Sequence, residues 1–493
     1  MSTDIKRRRL NWGLVAAILA YLVAGVLYAA LTPAWQVPDE PAHYNYIRYV
    51  ARHGRFPVLK RGDYPAEYLE EIKSRKFPSG MSIDPIRYEF HQPPLYYLLE
   101  VPVFLAFGGR ILPLRLFSVF LGAVLLVLIY RVLLDLFPRR RWIALTAASF
   151  VAVLPMHTAM MAGVDNDSLA EVLLAVAVCL SLRLVLDVKP PTRRSLARLG
   201  VVLGLILVTK TTAYVAVAIA VLAVAMAGWG RWGAWKWADG YASVLAPAAL
   251  ISAPWYFRDV LVYGWPDFLG LRRHGSVVIG QPRTPDWIQK FGWHSYLHRY
   301  FAFTFDSFWG VFGWLSAFMD QRIYLFLEVL SVTVFVGLLS AMWKAFIRHD
   351  LELSRGQKAG IVLLVLLFLG VLAEYVGYNL LFVQHQGRYL FPALIAISAG
   401  WAVGLRQAFR GRTSVAVSAL AFGFALFQTA YPGGLGKWGV FFTASLGMFF
   451  LLIGLLGKKY RWIEWIGVLT VHAVLYLIGM LALFGLVLVQ LAV

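Results

Sequence analysis

The chain has 493 residues, 60% hydrophobic and only 15% charged, with a formal net charge of +20. Its mean hydropathy of +0.67 excludes a soluble globular protein, which keeps about a quarter of its residues charged. A solitary Cys179 inside an apolar run excludes an internal disulfide framework, a thiolate metal cluster and thiol redox chemistry.

Apolar runs near the roughly 18–20 residues that a bilayer crossing needs recur along the whole chain. Lys6-Arg7-Arg8-Arg9 precedes the first, which is longer than a signal-peptide core and reads as an uncleaved anchor. Spans are expected near 10–31, 111–137, 141–162, 168–188, 197–209, 212–228, 240–262, 322–346, 359–381, 389–405, 413–430, 438–456 and 463–490, thirteen in all. The run 95–108 is too short to cross comfortably and is expected to be an interfacial or half-inserted helix. With that assignment the N-terminal side holds 25 Lys and Arg against 21, and 7 Asp and Glu against 17. The positive-inside rule then predicts a multi-pass plasma-membrane protein with its N-terminus cytoplasmic. Most of the +20 is accounted for by topology, so no nucleic-acid partner is expected. Two long aromatic segments, 32–110 and 263–321, face outward, the side where binding and chemistry are expected.

The first outward segment opens with Val37-Pro38-Asp39-Glu40-Pro41-Ala42-His43-Tyr44. Adjacent carboxylates at the membrane boundary, with the chain direction set by prolines, suit a general base or a metal ligand; they equally suit the cap of a following helix. Glu89-Phe90-His91-Gln92-Pro93-Pro94-Leu95-Tyr96-Tyr97 follows. Its Pro-Pro pair forces extended backbone that aims Glu89 and His91 at the membrane surface. With His43 these two can ligate a divalent metal ion, or simply pair as structural polar groups. Asp165-Asn166-Asp167 falls on the same outward face, as a second acidic group or a helix cap completed by Ser168 and Glu171. Lys210 stands between two shortened spans, a break tolerated only where protein or water surrounds it. Lys210 and Arg258 are further candidate cations. Ser307-Phe308-Trp309-Gly310 and the residues after it read as an interfacial aromatic belt or as stacking surface for a sugar or isoprenoid. Gln384-His385-Gln386-Gly387-Arg388-Tyr389 is a polar break whose arginine suits a lipid phosphate, or is a snorkelling side chain in a turn.

The order of these pieces resembles the GT-C superfamily of membrane glycosyltransferases: an acidic pair after the first helix, HQPPLYY, an outward Asp-Asn-Asp, a lysine ending a short fifth span, and a distal QGRYLFP. Among its members are the protein O-mannosyltransferases and lipid A aminoarabinose transferases. The resemblance covers about residues 1–405, with 406–493 as additional C-terminal helices. It implies an all-α polytopic bundle with external juxtamembrane helices, and transfer of a sugar from a polyprenyl-phosphate-linked donor to a lipid, glycan or protein acceptor. It implies Asp39 as general base beside Glu40, Asp165 or Asp167 near the acceptor, and Arg388, with Lys210 or Arg258, on the donor phosphate. His43, His91, Gln92, Tyr96, Gln386, Tyr389 and Trp309 are the expected substrate contacts. The extra globular domains of some relatives are not expected here, so the acceptor does not carry over. Rival readings are a flippase or transporter of lipid-linked saccharides, a ligase or polymerase using pyrophosphate-linked donors, and a non-catalytic scaffold whose carboxylates are only caps.

Overall fold

The computed structural model describes residues 11–347, 352–430 and 436–492; the Lys6-Arg7-Arg8-Arg9 stretch lies outside them. Twenty α-helices, two 3-10 helices, one π-helical turn and one two-stranded hairpin make up the regular structure of these residues. The helices are α1 Trp12–Leu31, α2 Glu40–His53, α3 Ala66–Ser74, α4 Leu95–Ala106, α5 Ile111–Leu136, α6 Arg141–Ala152, α7 Pro155–Met161, α8 Asp167–Leu186, α9 Arg193–Leu207 and α10 Val215–Gly228. After them come α11 Ala234–Tyr263, α12 Leu271–Val277, α13 Thr284–Trp309, α14 Gln321–Phe346, α15 Arg355–Asn379, α16 Leu394–Ala408, α17 Gly411–Ala430, α18 Gly436–Lys459, α19 Trp462–Ala482 and α20 Leu488–Ala492.

The protein is an all-α polytopic membrane protein. Among the described residues nine helical segments are long and apolar enough to cross a membrane, and α6 with α7, bent by 67°, makes a tenth. The bend falls where Pro155 begins a new helix and the ladder of backbone hydrogen bonds is interrupted. The other three expected spans are helical but do not meet the same measure. Helix α9 has 15 residues, the apolar part of α17 ends at Phe427, and α11 carries Pro247 and Pro254 inside its 30 residues. The expected half-inserted helix is α4, 12 residues long.

Local chemistry explains the ends. Asn11 caps α1 by accepting from the Gly13 and Leu14 amides, and Thr192–Ser195 and Ser354–Gln357 form capping boxes on α9 and α15. Close helix pairs rely on absent side chains: a Cβ on Gly337 or Gly404 would run into the facing backbone, which lets α14 and α16 approach without intervening atoms.

Helices α2, α3 and α4 of the first long segment, and α12 and α13 of the second, gather at one end of the bundle. Side chains of α2, α3 and the loop after α3 form a small core separate from that of the bundle, with Ala42, Leu69, Ile72, Phe77, Ile86 and Tyr88 packing with Val278, just after α12, and with Phe382. The two segments therefore form one lid. The hairpin β1 Val311–Phe312 and β2 Ala317–Phe318 closes it in front of α14.

Candidate active site

Beneath the lid lies a cavity of about 550 Å³. Asp39 immediately precedes α2 with φ 67° and ψ −11°, a left-handed conformation that short Asp side chains tolerate better than most. Its carboxylate makes no capping bond to the helix. It reaches instead into the cavity, where Oδ1 accepts from the Tyr88 hydroxyl at 2.7 Å and Oδ2 from Arg388 Nη2 at 2.6 Å. Arg388 sits in the first turn of a 3-10 helix, Gly387–Ala393. Its Nε donates to Gln386 Oε1 at 2.7 Å, and its buried Nη1 has no hydrogen-bond partner among the described residues. Burial works to raise the Asp39 carboxyl, but the guanidinium more than offsets it and holds the group below the usual carboxylate range.

A second charged cluster faces the first. Lys210, at the break after α9, donates to Asp165 Oδ1 at 3.2 Å and meets Asp167 Oδ1 at 2.8 Å. Asp165 Oδ1 also accepts from the Asp167 amide at 2.9 Å and lies 3.5 Å from His43 Nε2. The other ring nitrogen of His43 meets the Tyr97 hydroxyl at 2.9 Å. Burial pushes Lys210 down and Asp165 up, and their mutual attraction reverses both, leaving Lys210 above and Asp165 well below its ordinary value. The break at Lys210 is thus surrounded by protein and cavity, as the sequence required.

Asp39, His43, Glu89, His91, Gln92, Asp165, Asp167, Lys210, Gln386, Arg388 and Tyr389 all line this one cavity. Four expected residues do not. Glu40 is fully buried and bound on both oxygens by Arg115, Nε to Oε1 at 2.8 Å and Nη2 to Oε2 at 2.7 Å, while the Trp35 and Val164 amides complete its shell. It fastens the first loop to the bundle and faces no substrate space. Tyr96 is buried against Glu100 and Ser118. Arg258 is held by Asp259 at 2.7 Å and by the Pro57 carbonyl, with its guanidinium over Trp255. Trp309 is core rather than belt, 2% exposed and packed on Phe150 and Trp401.

The metal expectation for Glu89, His91 and His43 finds no support in the geometry. His43 is turned to Asp165, whereas His91 Nδ1 faces the Tyr88 carbonyl and its ring packs 4.4 Å from that of His274. Among the described residues no three His, Cys, Asp or Glu side chains converge as ligands. Burial lowers His91 to about 4 and His274 to about 3, so both rings are neutral near pH 7. Tyr88 and His274 are cavity-lining residues that the motifs did not single out; only Tyr88 lies beside a motif residue, Glu89.

Two further spaces lie near the site, of which the first shares its lining with the cavity. A small recess under Arg388 reaches Glu171, whose Oε2 is 3.1 Å from His157 Nε2. A separate apolar groove of about 840 Å³ is lined by Phe305, Phe308, Val332, Leu420 and Phe424, and reaches Leu390, two residues from Arg388.

Residues 91–257 match the family model described as dolichyl-phosphate-mannose-protein mannosyltransferase, in line with the GT-C resemblance carried by the motifs. No curated protein sequence matches. Among solved structures, ArnT from Cupriavidus metallidurans bound to undecaprenyl phosphate superposes with a TM-score of 0.48 at 15% identity, over 97% of this chain and 76% of that one. The Archaeoglobus fulgidus oligosaccharyltransferase tethered to an acceptor peptide gives 0.49 at 12% identity, over 93% and 55%. The chain therefore spans about half the length of that archaeal enzyme.

Proposed function

We propose that this protein is an integral membrane glycosyltransferase that moves a sugar from a polyprenyl-phosphate-linked donor to an acceptor hydroxyl on the outer face, by a single inverting displacement. The observation that carries the reading is the 2.6 Å pair between Asp39 and Arg388, 349 residues apart, in a lidded cavity that also holds Lys210. A donor with its tail in the bilayer and its phosphate at the surface requires such an arrangement: cations at headgroup level, a carboxylate above them, and apolar space alongside.

In this reading the donor phosphate binds the free Nη1 of Arg388 and the ammonium of Lys210. The phosphate then competes with Asp39 for the guanidinium, and the carboxylate regains the basicity that the ion pair withholds. The acceptor oxygen bonds to the anomeric carbon as the bond from that carbon to the phosphate oxygen breaks. The hydroxyl proton passes to Asp39, and the electron pair leaves on the polyprenyl phosphate, stabilised by the two cations. Attack opposite to the leaving group inverts the centre. Asp165, fixed by Lys210 and His43, keeps the lysine charged and in place.

The test incubates purified protein with a panel of polyprenyl-phosphate sugars and measures release of polyprenyl phosphate. Asp39→Asn keeps the backbone conformation and the Tyr88 contact, and is expected to lower release by about 10²–10⁴-fold. Release at the wild-type rate removes Asp39 from the role. Labelled lipid crossing vesicles without turnover favours a carrier.

A further inference from the structure

The span that begins at Gly387 with the site arginine ends at Ala408, and at that opposite end of the bundle lies a second polar cavity, of about 330 Å³. It opens between the α16–α17 turn and the α18–α19 turn and is lined by Arg410, Lys458, Arg461 and Glu464, with Gly454 and Gly457 as floor. Its single carboxylate is already taken: Glu464 Oε2 accepts from Arg410 at 2.9 Å and lies 3.6 Å from Arg406 Nε. Lys458 and Arg461 have no ion-pair partner among the described residues, so the cavity holds a surplus of positive charge.

Its depth is set by aromatic side chains. Arg406 is sandwiched between Trp142 at 4.3 Å and Trp465 at 4.5 Å, and Trp462 and Tyr460 are exposed beside it, as at a membrane–water boundary. One turn further into the span, Leu455 and Leu456 of α18 present exposed apolar side chains. Topogenic charge alone needs no cavity; here the unpaired cations surround one, at the level of lipid phosphates and above an acyl-facing surface.

We propose that this cavity is a headgroup site for an anionic phospholipid, whose phosphate is held by Lys458, Arg461 and the outer edge of Arg410 while its acyl chains lie along Leu455 and Leu456. The lipid would join the turn after α16 to the turn after α18, on the side of the bundle remote from the transfer site. The assignment does not depend on the transferase reading.

Full-length protein in neutral detergent is titrated with short-chain phosphatidylglycerol, with short-chain phosphatidylcholine and with inorganic phosphate, and binding is read from the unfolding midpoint and from retained lipid in native mass spectrometry. Phosphatidylglycerol is expected to bind and raise the midpoint, and the other two are not. The double variant Lys458→Gln, Arg461→Gln breaks no side-chain hydrogen bond or ion pair among the described residues. It is expected to unfold at the wild-type midpoint without ligand and to bind phosphatidylglycerol roughly 25-fold more weakly, about fivefold for each cation removed. Unchanged affinity in the variant overturns the site. Equal binding of phosphatidylcholine overturns the anionic headgroup, and a variant-sensitive response to inorganic phosphate alone overturns the lipid.

Discussion

Replacing Glu40 by alanine removes a carboxylate that accepts four hydrogen bonds, two from Arg115 and one each from the Trp35 and Val164 amides. Arg115 would keep only the carbonyls of Ala29, Thr32 and Pro33, with its charge uncompensated at 1% exposure. Breaking a buried pair in this way costs roughly 3–5 kcal/mol, against a net stability that for folded domains is of the order of 5–15 kcal/mol. Arg115→Met alone strands the carboxylate and is expected to cost a similar amount. Glu40→Ala with Arg115→Met removes both charges together, so the double variant should cost less than the sum of the singles by about 1–3 kcal/mol. Denaturant unfolding of the purified protein in detergent measures the cycle. Additive effects within about 0.5 kcal/mol would refute a coupled structural pair. So would a Glu40→Ala protein that unfolds at the wild-type midpoint and has lost sugar transfer, because that outcome returns Glu40 to the chemistry.

Arg388→Gln removes the donor-phosphate ligand of the proposed mechanism and should raise the donor KM by about 10–100-fold. Because the guanidinium holds Asp39 low, its loss should also move the acidic limb of kcat/KM to higher pH; an unmoved limb counts against Asp39 as the base. Lys210→Met leaves Asp165 and Asp167 facing each other without the ammonium that pairs with both. Wild-type stability from the depressed Asp165 is present above the ordinary carboxylate range and lost as pH falls, so unfolding midpoints of the variant should peak at lower pH than those of the wild type. For Gly387→Ala a Cβ would run into the backbone of α13 at Thr304 and Phe308, so transfer should fall with Arg388 displaced although no charge is changed; normal activity there means the approach is not needed. Half-buried His274, lowered to about 3, favours folding while neutral, and this contribution fades as pH drops below about 6.5. His274→Gln should therefore flatten the decline of the unfolding midpoint between pH 6.5 and 4, and an unchanged slope would discard that cause.

The membrane spans were legible because a bilayer demands long apolar runs and tolerates little else, and that constraint is written directly in composition. Helices α9 and α11 depart from it for local reasons: α9 is only 15 residues long, and α11 carries charged residues and two prolines along its length. Asp39 and Arg388 were readable as polar groups stranded at span ends, though not as partners. Which of two neighbouring carboxylates faces the cavity was not readable. A left-handed residue at 39 followed by a helix turns the two side chains to different surroundings, and nothing in Pro-Asp-Glu-Pro encodes that. One signal did exist: Arg115 stands inside an apolar run and needs a buried acceptor, which points to a structural carboxylate nearby. Trp309 misled because an aromatic cluster near a span end looks alike whether it faces lipid or packs against α6 and α16.

The 349-residue separation between Asp39 and its arginine also bears on how the molecule is made. At roughly 5–20 residues per second, a ribosome needs on the order of 20–70 s to add the stretch between them. By the end of that interval the lid helices have been made, while the acidic hollow beneath them still lacks its neutralising guanidinium. The pocket is thus closed electrostatically only by a late-arriving segment, and a nascent chain halted before that point would have to leave its first loop hydrated and open.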